Sequence, residues 1–318
     1  MSMQLAKLMP YEASPRSFWS RVKSDFYYNR TLYFLALPVV AFYLLFNYVP
    51  IYGAIIAFKD FSPIQGIIHS PWIGFKNFSD FFSSYYFGRI IKNTFLISIN
   101  SLLFGFPAPI ILALLINELH NKYFSRAVQT ITYMPHFISL VVICGLIRDF
   151  TAENGIINYL LGFLGWHPVA MLSQPGLFVP VYVISGIWQE IGWGSIIYLA
   201  ALTGIDPQLY EAAKMDGAGR LRQIWHVALP GILPTILVML ILRMGNILNV
   251  GFEKIILLYN PAIYDTSDVI SSFVYRKGLQ EFNWSYSTAV GLFNSAINFG
   301  FLIVANWLSK RTKESSLW

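Results

Sequence analysis

Charged side chains are absent from residues 31–58, 93–117, 127–147 and 284–309 of this 318-residue chain. Each of these runs is long enough to cross a bilayer core as a helix, for which about 20 apolar residues suffice. A charge at that depth is costly unless it is paired or faces protein, so charge-free runs of this length mark membrane spans. Two further runs qualify with interruptions: 178–200 contains only Glu190, and 231–258 contains Arg243, Glu253 and Lys254. The reading is an all-α polytopic membrane protein with six transmembrane helices. Composition agrees, since 12% of residues are charged against about 25% in ordinary soluble domains.

Basic residues resist translocation and mark the cytoplasmic loops. With the N-terminus inside, thirteen Lys and Arg fall on cytoplasmic segments, against Lys59, Lys76, Arg276 and Lys277 outside. Both termini are therefore expected in the cytoplasm of a multi-pass inner-membrane protein. The net charge of +6 reads as a topology signal and an affinity for anionic lipid headgroups; no compact basic surface suggests nucleic acid. Cys144 is the single cysteine, so no intrachain disulfide exists and helix packing must hold the fold. The first apolar run is too long for a cleavable signal core and is expected to stay in the mature chain. Ahead of it, Phe18, Trp19, Val22, Phe26 and Tyr27 alternate with Arg21, Lys23 and Arg30. That stretch reads equally as a short helix in the headgroup region or as a tail with interfacial aromatics.

The segment 203–230 is the most informative. Asp206 is placed to cap a helix, Pro207 takes its first position, alanines follow, and Gly217 stands where the helix must end. Leu221, Ile224, Trp225 and Ala228 resume a helical spacing that stops at Pro230. Two short helices would form a cytoplasmic knob suited to docking in a groove of a soluble partner. Its residues run Glu211-Ala212-Ala213, three residues, Gly217, nine residues, then Val227-Ala228-Leu229-Pro230. This resembles the EAA loop of permease subunits in binding-protein-dependent ABC importers, with Val227 in place of the pattern's isoleucine. Shorter segments extend the resemblance from about Trp72 onward: Trp72-Ile73-Gly74-Phe75-Lys76-Asn77-Phe78, Asn93-Thr94, Tyr133-Met134-Pro135 and Gly155-Ile156-Ile157-Asn158-Tyr159-Leu160. Their order is similar to the sugar-permease branch of maltose and glycerol phosphate type, and most similar to permeases for complex oligosaccharides.

The resemblance implies a type I importer permease fold. Its parts would be an N-terminal cytoplasmic or interfacial segment (1–30), a first transmembrane helix (31–58), an external loop (59–88), a five-helix core (89–308) and a cytoplasmic tail (309–318). It implies a second permease subunit, a dimeric cytoplasmic ATPase, an extracytoplasmic solute-binding protein and a carbohydrate substrate, taken through the bilayer by alternating access. Glu211, Ala212, Ala213, Asp216 and Gly217 would dock the ATPase. No Gly-x4-Gly-Lys-Ser/Thr loop occurs, so the chain is expected to bind no cofactor, with ATP and Mg held by the partner subunits.

No catalytic or metal site is expected, because the five histidines show no i, i+4 pair and no cysteine partner. His136, beside Pro135, reads as a hydrogen-bonded residue at a helix break rather than a proton relay. Counting helix rise puts Glu190 and Arg243 about 15 to 18 Å deep, where they are expected to pair, either along a substrate pathway or as a structural ion pair. Trp188, Trp193, Asn246 and Asn249 supply rings and amides for sugar on the same pathway. Arg89, Lys92, Arg148 and Lys254 are expected at an external mouth, as snorkelling cations or as a sign of an acidic oligosaccharide. A secondary, ion-coupled transporter is the alternative reading, although no inverted repeat is visible.

Overall fold

The structure, a computed structural model, describes residues 25–311. Most of the proposed N-terminal interfacial segment and of the tail therefore lies outside the described residues. The described chain divides after Ile55 into two compact units. In the first, α1 (Arg30–Tyr43) passes through a π turn into a 3-10 segment, Val49–Phe58, within which the division falls. No residue from 25 to 55 is buried, and the helix is apolar all round, as a lipid-facing span is.

The second unit contains α2 (Phe87–Gly105), α3 (Pro107–Asn117), α4 (Lys122–Tyr133), α5 (Leu140–Thr151), α6 (Ile156–Gly162) and α7 (Pro175–Thr203). After these come α8 (Pro207–Met215), α9 (Leu229–Met244), α10 (Phe252–Leu258), α11 (Ile270–Tyr275) and α12 (Trp284–Arg311). Among the described residues there is no strand, only one isolated antiparallel bridge between Lys59 and Trp72.

Among the described residues four helices are long and apolar enough to cross a membrane: Arg30–Phe58, Phe87–Asn117, Arg220–Met244 and Trp284–Trp307. Lys122–Phe137 and Leu140–Gly162 pass the same test only as a pair and meet at 102°, the geometry of a broken span or of a re-entrant loop. The bend follows from Pro135 in a 3-10 turn, Met134–Phe137, and from the extended backbone of Ile138. At 29 residues, α7 is about 44 Å long, but Gln189 and Glu190 at its centre lower its hydropathy. The run 231–258, expected to be one span, is broken: α9 stops at Met244 and α10 begins at Phe252.

Helix α7 joins two cores. Phe178, Tyr182 and Val183 pack with Ile97, Ile143, Ile147, Ile255 and Leu258. Tyr198 and Leu202 pack with Ile110, Ala113, Ala228 and Ile232. Between the two, Gly192 brings the α7 backbone against α4, and a Cβ at this position would lie 2.1 Å from the Thr132 carbonyl oxygen. Only glycine permits that approach.

A buried charge network ties the segment before α11, and Arg276 just after it, to α2. Asp268 is fully buried and pairs with Arg276 at 2.6 Å and with Arg89 at 3.7 Å. Burial opposes the Arg276 charge, but the hydrogen bonds and charge of Asp268 outweigh it and raise the guanidinium above its ordinary value. Asn93 donates to the carbonyls of Asp265 and Asp268, and Thr94 Oγ1 accepts from the Ile270 N–H.

Removing one member of a buried ion pair strands the other charge. Asp268→Ala should therefore lower stability by about 3 kcal/mol, read as a fall in Tm of the detergent-solubilised protein. Asp265→Ala removes a carboxylate that is 83% exposed and should change stability by less than about 0.5 kcal/mol. Equal shifts for the two variants would contradict this account of the network.

Candidate functional site

The segment 203–230 folds as its signals require. The Asp206 side chain accepts from the Gln208 N–H at 2.9 Å, and Pro207 opens α8. At the other end Gly217 adopts φ +75°, a left-handed conformation costly for residues with a Cβ. The turn there lets Asp216 N–H bond the Ala212 carbonyl and Ala218 N–H bond that of Ala213, so both ends of the short helix are closed. Glu211, Ala212, Asp216 and Gly217 are exposed and Ala213 is half-buried. Glu211 forms no ion pair among the described residues. Leu209, Met215, Leu221 and Trp225 are also exposed, so the knob presents charged and apolar groups together on a rigid support.

Deeper in the chain, α7 meets the bend between α4 and α5. Glu190 Oε2 lies 2.9 Å from His136 Nδ1, and the His136 ring stacks on Trp193 at 4.5 Å with 2° between planes. Phe137 closes the other side, edge-on to Trp193 at 5.5 Å. Positions 190 and 193 share a helix face, and the close approach at Gly192 brings that face to the turn. Glu190 thus pairs with His136, not with Arg243 as the depth count predicts. The count assumed a continuous fifth span, whereas Arg243 lies in the last turn of α9 and forms no ion pair among the described residues.

Trp188 is also separated from the group. Five positions from Trp193, it is rotated by about 140° around the helix. It lines a different, largely apolar cavity of about 540 Å³ with Phe150, Leu161 and Trp166.

In the break after α9, Asn249 donates to Asn246 Oδ1 at 3.1 Å. Asn294 and Asn298 of α12 both donate to Asn249 Oδ1, at 3.2 and 3.4 Å. Asn298 Oδ1 accepts the Leu248 N–H at 3.0 Å, taking up a donor freed by the break. Asn246 and Asn249 are exposed, and Asn294 is half-buried. Sequence reading missed Asn294 and Asn298, although two amides four positions apart within a charge-free run were the available signal.

The four cations expected at one mouth do not form a set. Arg89 belongs to the Asp265 and Asp268 network. Lys254 is buried, donating to the Tyr182 carbonyl at 3.2 Å and lying 4.9 Å from that ring's centre. Lys92 lines a cavity of about 630 Å³ between α2 and α7, and Arg148 is exposed at the end of α5. Among the described residues, no three His, Cys, Asp or Glu side chains converge as metal ligands.

Residues 105–314 match the family model described as "Binding-protein-dependent transport system inner membrane component". Two relatives from Bacillus subtilis (strain 168) align over 291 residues. One, named Protein LplB, is 43% identical, covering 91% of this chain and 92% of its own. The other, the polygalacturonan/rhamnogalacturonan transport system permease protein YteP, is 44% identical, covering 91% of each. Among solved structures, a chain of a bacterial ABC transporter involved in import of the acidic polysaccharide alginate matches with a TM-score of 0.85. It is 46% identical and covers 92% of this chain and 99% of its own. The alginate transporter in complex with its pentasaccharide-bound periplasmic protein gives a TM-score of 0.86 at 44% identity, over 94% and 99% of the two chains. With the family match spanning well over half of its length, and such relatives along nearly all of it, this chain belongs to the inner membrane components of binding-protein-dependent transport systems, the permease subunits of ABC importers.

Proposed function

We propose that the chain is one permease subunit of an ATP-driven importer for an acidic oligosaccharide, working by alternating access with both termini in the cytoplasm. The observation that carries the importer reading is the exposed, doubly capped helix α8 bearing Glu211, Ala212 and Ala213. A rigid helix of this kind transmits a partner's motion where a flexible loop would absorb it. The knob seats in a dimeric cytoplasmic ATPase that supplies ATP and Mg. Glu211 makes a charge-assisted contact, the alanines allow close approach, and Asp216 and Gly217 shape the exit turn.

A second permease subunit completes the pore, and an extracytoplasmic binding protein delivers the sugar. In this reading α7 is the sixth span, its polar centre facing the pathway rather than lipid. The five helices of residues 89–308 form the core, with 59–88 as an external loop.

Support for an acidic cargo comes from two directions. The relatives at 44 to 46% identity whose cargo is named carry polygalacturonan, rhamnogalacturonan or alginate, whereas those named for xylose, arabinose or arabinooligosaccharides are 24 to 28% identical. Within this chain, Arg243 is exposed and free of ion pairs beside the asparagine cluster, which offers a cation and hydroxyl-binding amides in one place. A broken helix inside a membrane is tolerated where it lines a water-filled cavity, and that is where a sugar pathway must run. Glu190 and Trp193, fixed by His136, form a second polar station with an aromatic face. Trp188 is left out of the pathway, since it faces the separate apolar cavity.

The test is substrate-stimulated ATP hydrolysis and uptake in proteoliposomes carrying the complete complex and its loaded binding protein. Uronate oligosaccharides should stimulate both, and neutral maltodextrins neither; the opposite preference would overturn the acidic assignment. Arg243→Gln should cut uronate uptake by about tenfold, the loss of one charge-assisted contact, with assembly of the complex unchanged. Asn249→Leu removes the amide that joins Asn246 to α12 and should reduce uptake to a similar extent; undiminished uptake in both variants would place the pathway elsewhere.

A further inference from the structure

We infer that Tyr210 is the mechanical link between the docking knob and the membrane helices, a positioning residue for transport; this rests on the importer reading above. Among the apolar side chains of α8, Leu209 and Met215 face outward, 54% and 83% exposed. Tyr210 turns the other way. It packs against the cluster built from Ile110 and Ala113 of α3, Leu202 of α7 and Ile232 of α9, and it is the α8 residue in that cluster. One ring therefore touches a core shared by three long helices, while the other α8 residues are exposed apart from the half-buried Ala213.

A second hold on the core lies at the knob's start. There Ile205 sits so close to Gly231 that a Cβ would fall 2.6 Å from the isoleucine Cδ1. That contact anchors the entry to the knob but lies outside α8 itself. Movement imposed on α8 by a docked partner reaches α3, α7 and α9 through packed atoms, and the Tyr210 ring supplies those atoms.

The hydroxyl has no part in it. Tyr210 Oη is buried without a hydrogen-bond partner in the protein. It adjoins a cleft of about 300 Å³ lined by Glu118, His120, Lys214 and Arg220, where polar surroundings suit a water molecule. The inference thus separates ring from hydroxyl. Tyr210→Phe keeps the link, whereas Tyr210→Ala opens a cavity and leaves the helix seated in its partner but slack against the core.

The experiment measures sugar imported per ATP hydrolysed, using the complex of this chain, its second permease and its ATPase in proteoliposomes with loaded binding protein. For Tyr210→Ala the ratio should fall by about tenfold while ATPase copurifies in normal amount, and for Tyr210→Phe it should stay within about twofold of the unmodified complex. Tyr210→Leu, which refills part of the space, should give an intermediate ratio and serves where the alanine variant does not assemble. An unchanged ratio in an assembled Ala or Leu complex would overturn the link alone. So would a Phe variant as impaired as Ala. Failure of the unmodified chain to bring down any ATPase would overturn the importer reading and the link together.

Discussion

Inside a bilayer, a backbone that leaves its helix must find partners for the N–H and C=O groups it frees, because lipid offers none. Two interruptions set the layout of this molecule. At the first, Pro135 and the extended Ile138 turn the chain by 102°, and the turn is received by α7, whose backbone comes within reach because residue 192 has no side chain. At the second, between Met244 and Phe252, the amide of Asn298 takes over the Leu248 N–H. Polar side chains cluster at both places: His136 with Glu190 at one, four asparagines at the other. Breaks and polar groups require each other, and together they leave hydrogen-bonding capacity at positions a sugar pathway could use.

Much of this was legible in the sequence where the signal is local. The absence of charge located the long helices, and Asp206, Pro207 and Gly217 marked both ends of α8, because caps are decided by the residues next to them. What could not be read was rotation and continuity. Counting residues from a helix end gives depth but not azimuth, so Trp188 and Trp193 were grouped although they lie on different faces. Hydropathy also ran unbroken through Gly245 to Gly251, which placed Arg243 in mid-span opposite Glu190 when its helix in fact ends one residue later.

Several short segments that carried the family resemblance have structural work in the fold. Asn77 holds the Ala57 carbonyl, Asn93 holds those of Asp265 and Asp268, and Asn158 bonds Ala152 and Val169. In each case a buried amide on a helix holds backbone carbonyls of another segment, a structural task that accounts for asparagine at these positions. Lys254 shows the same lesson in reverse, since a charge expected at a mouth is folded against a carbonyl and a tyrosine ring.

The proposed transport cycle depends on α8 being the surface that a nucleotide-hydrolysing partner grips. Cys144 is the chain's single cysteine and is buried, so Ala212→Cys introduces the one exposed thiol. In the assembled complex, a short thiol-directed cross-linker carried by that residue should capture the ATPase subunit. Addition of ATP should change the yield as the partner closes. A complex that contains the ATPase, yet leaves the residue 212 thiol uncaptured and freely alkylated with and without ATP, would contradict the account.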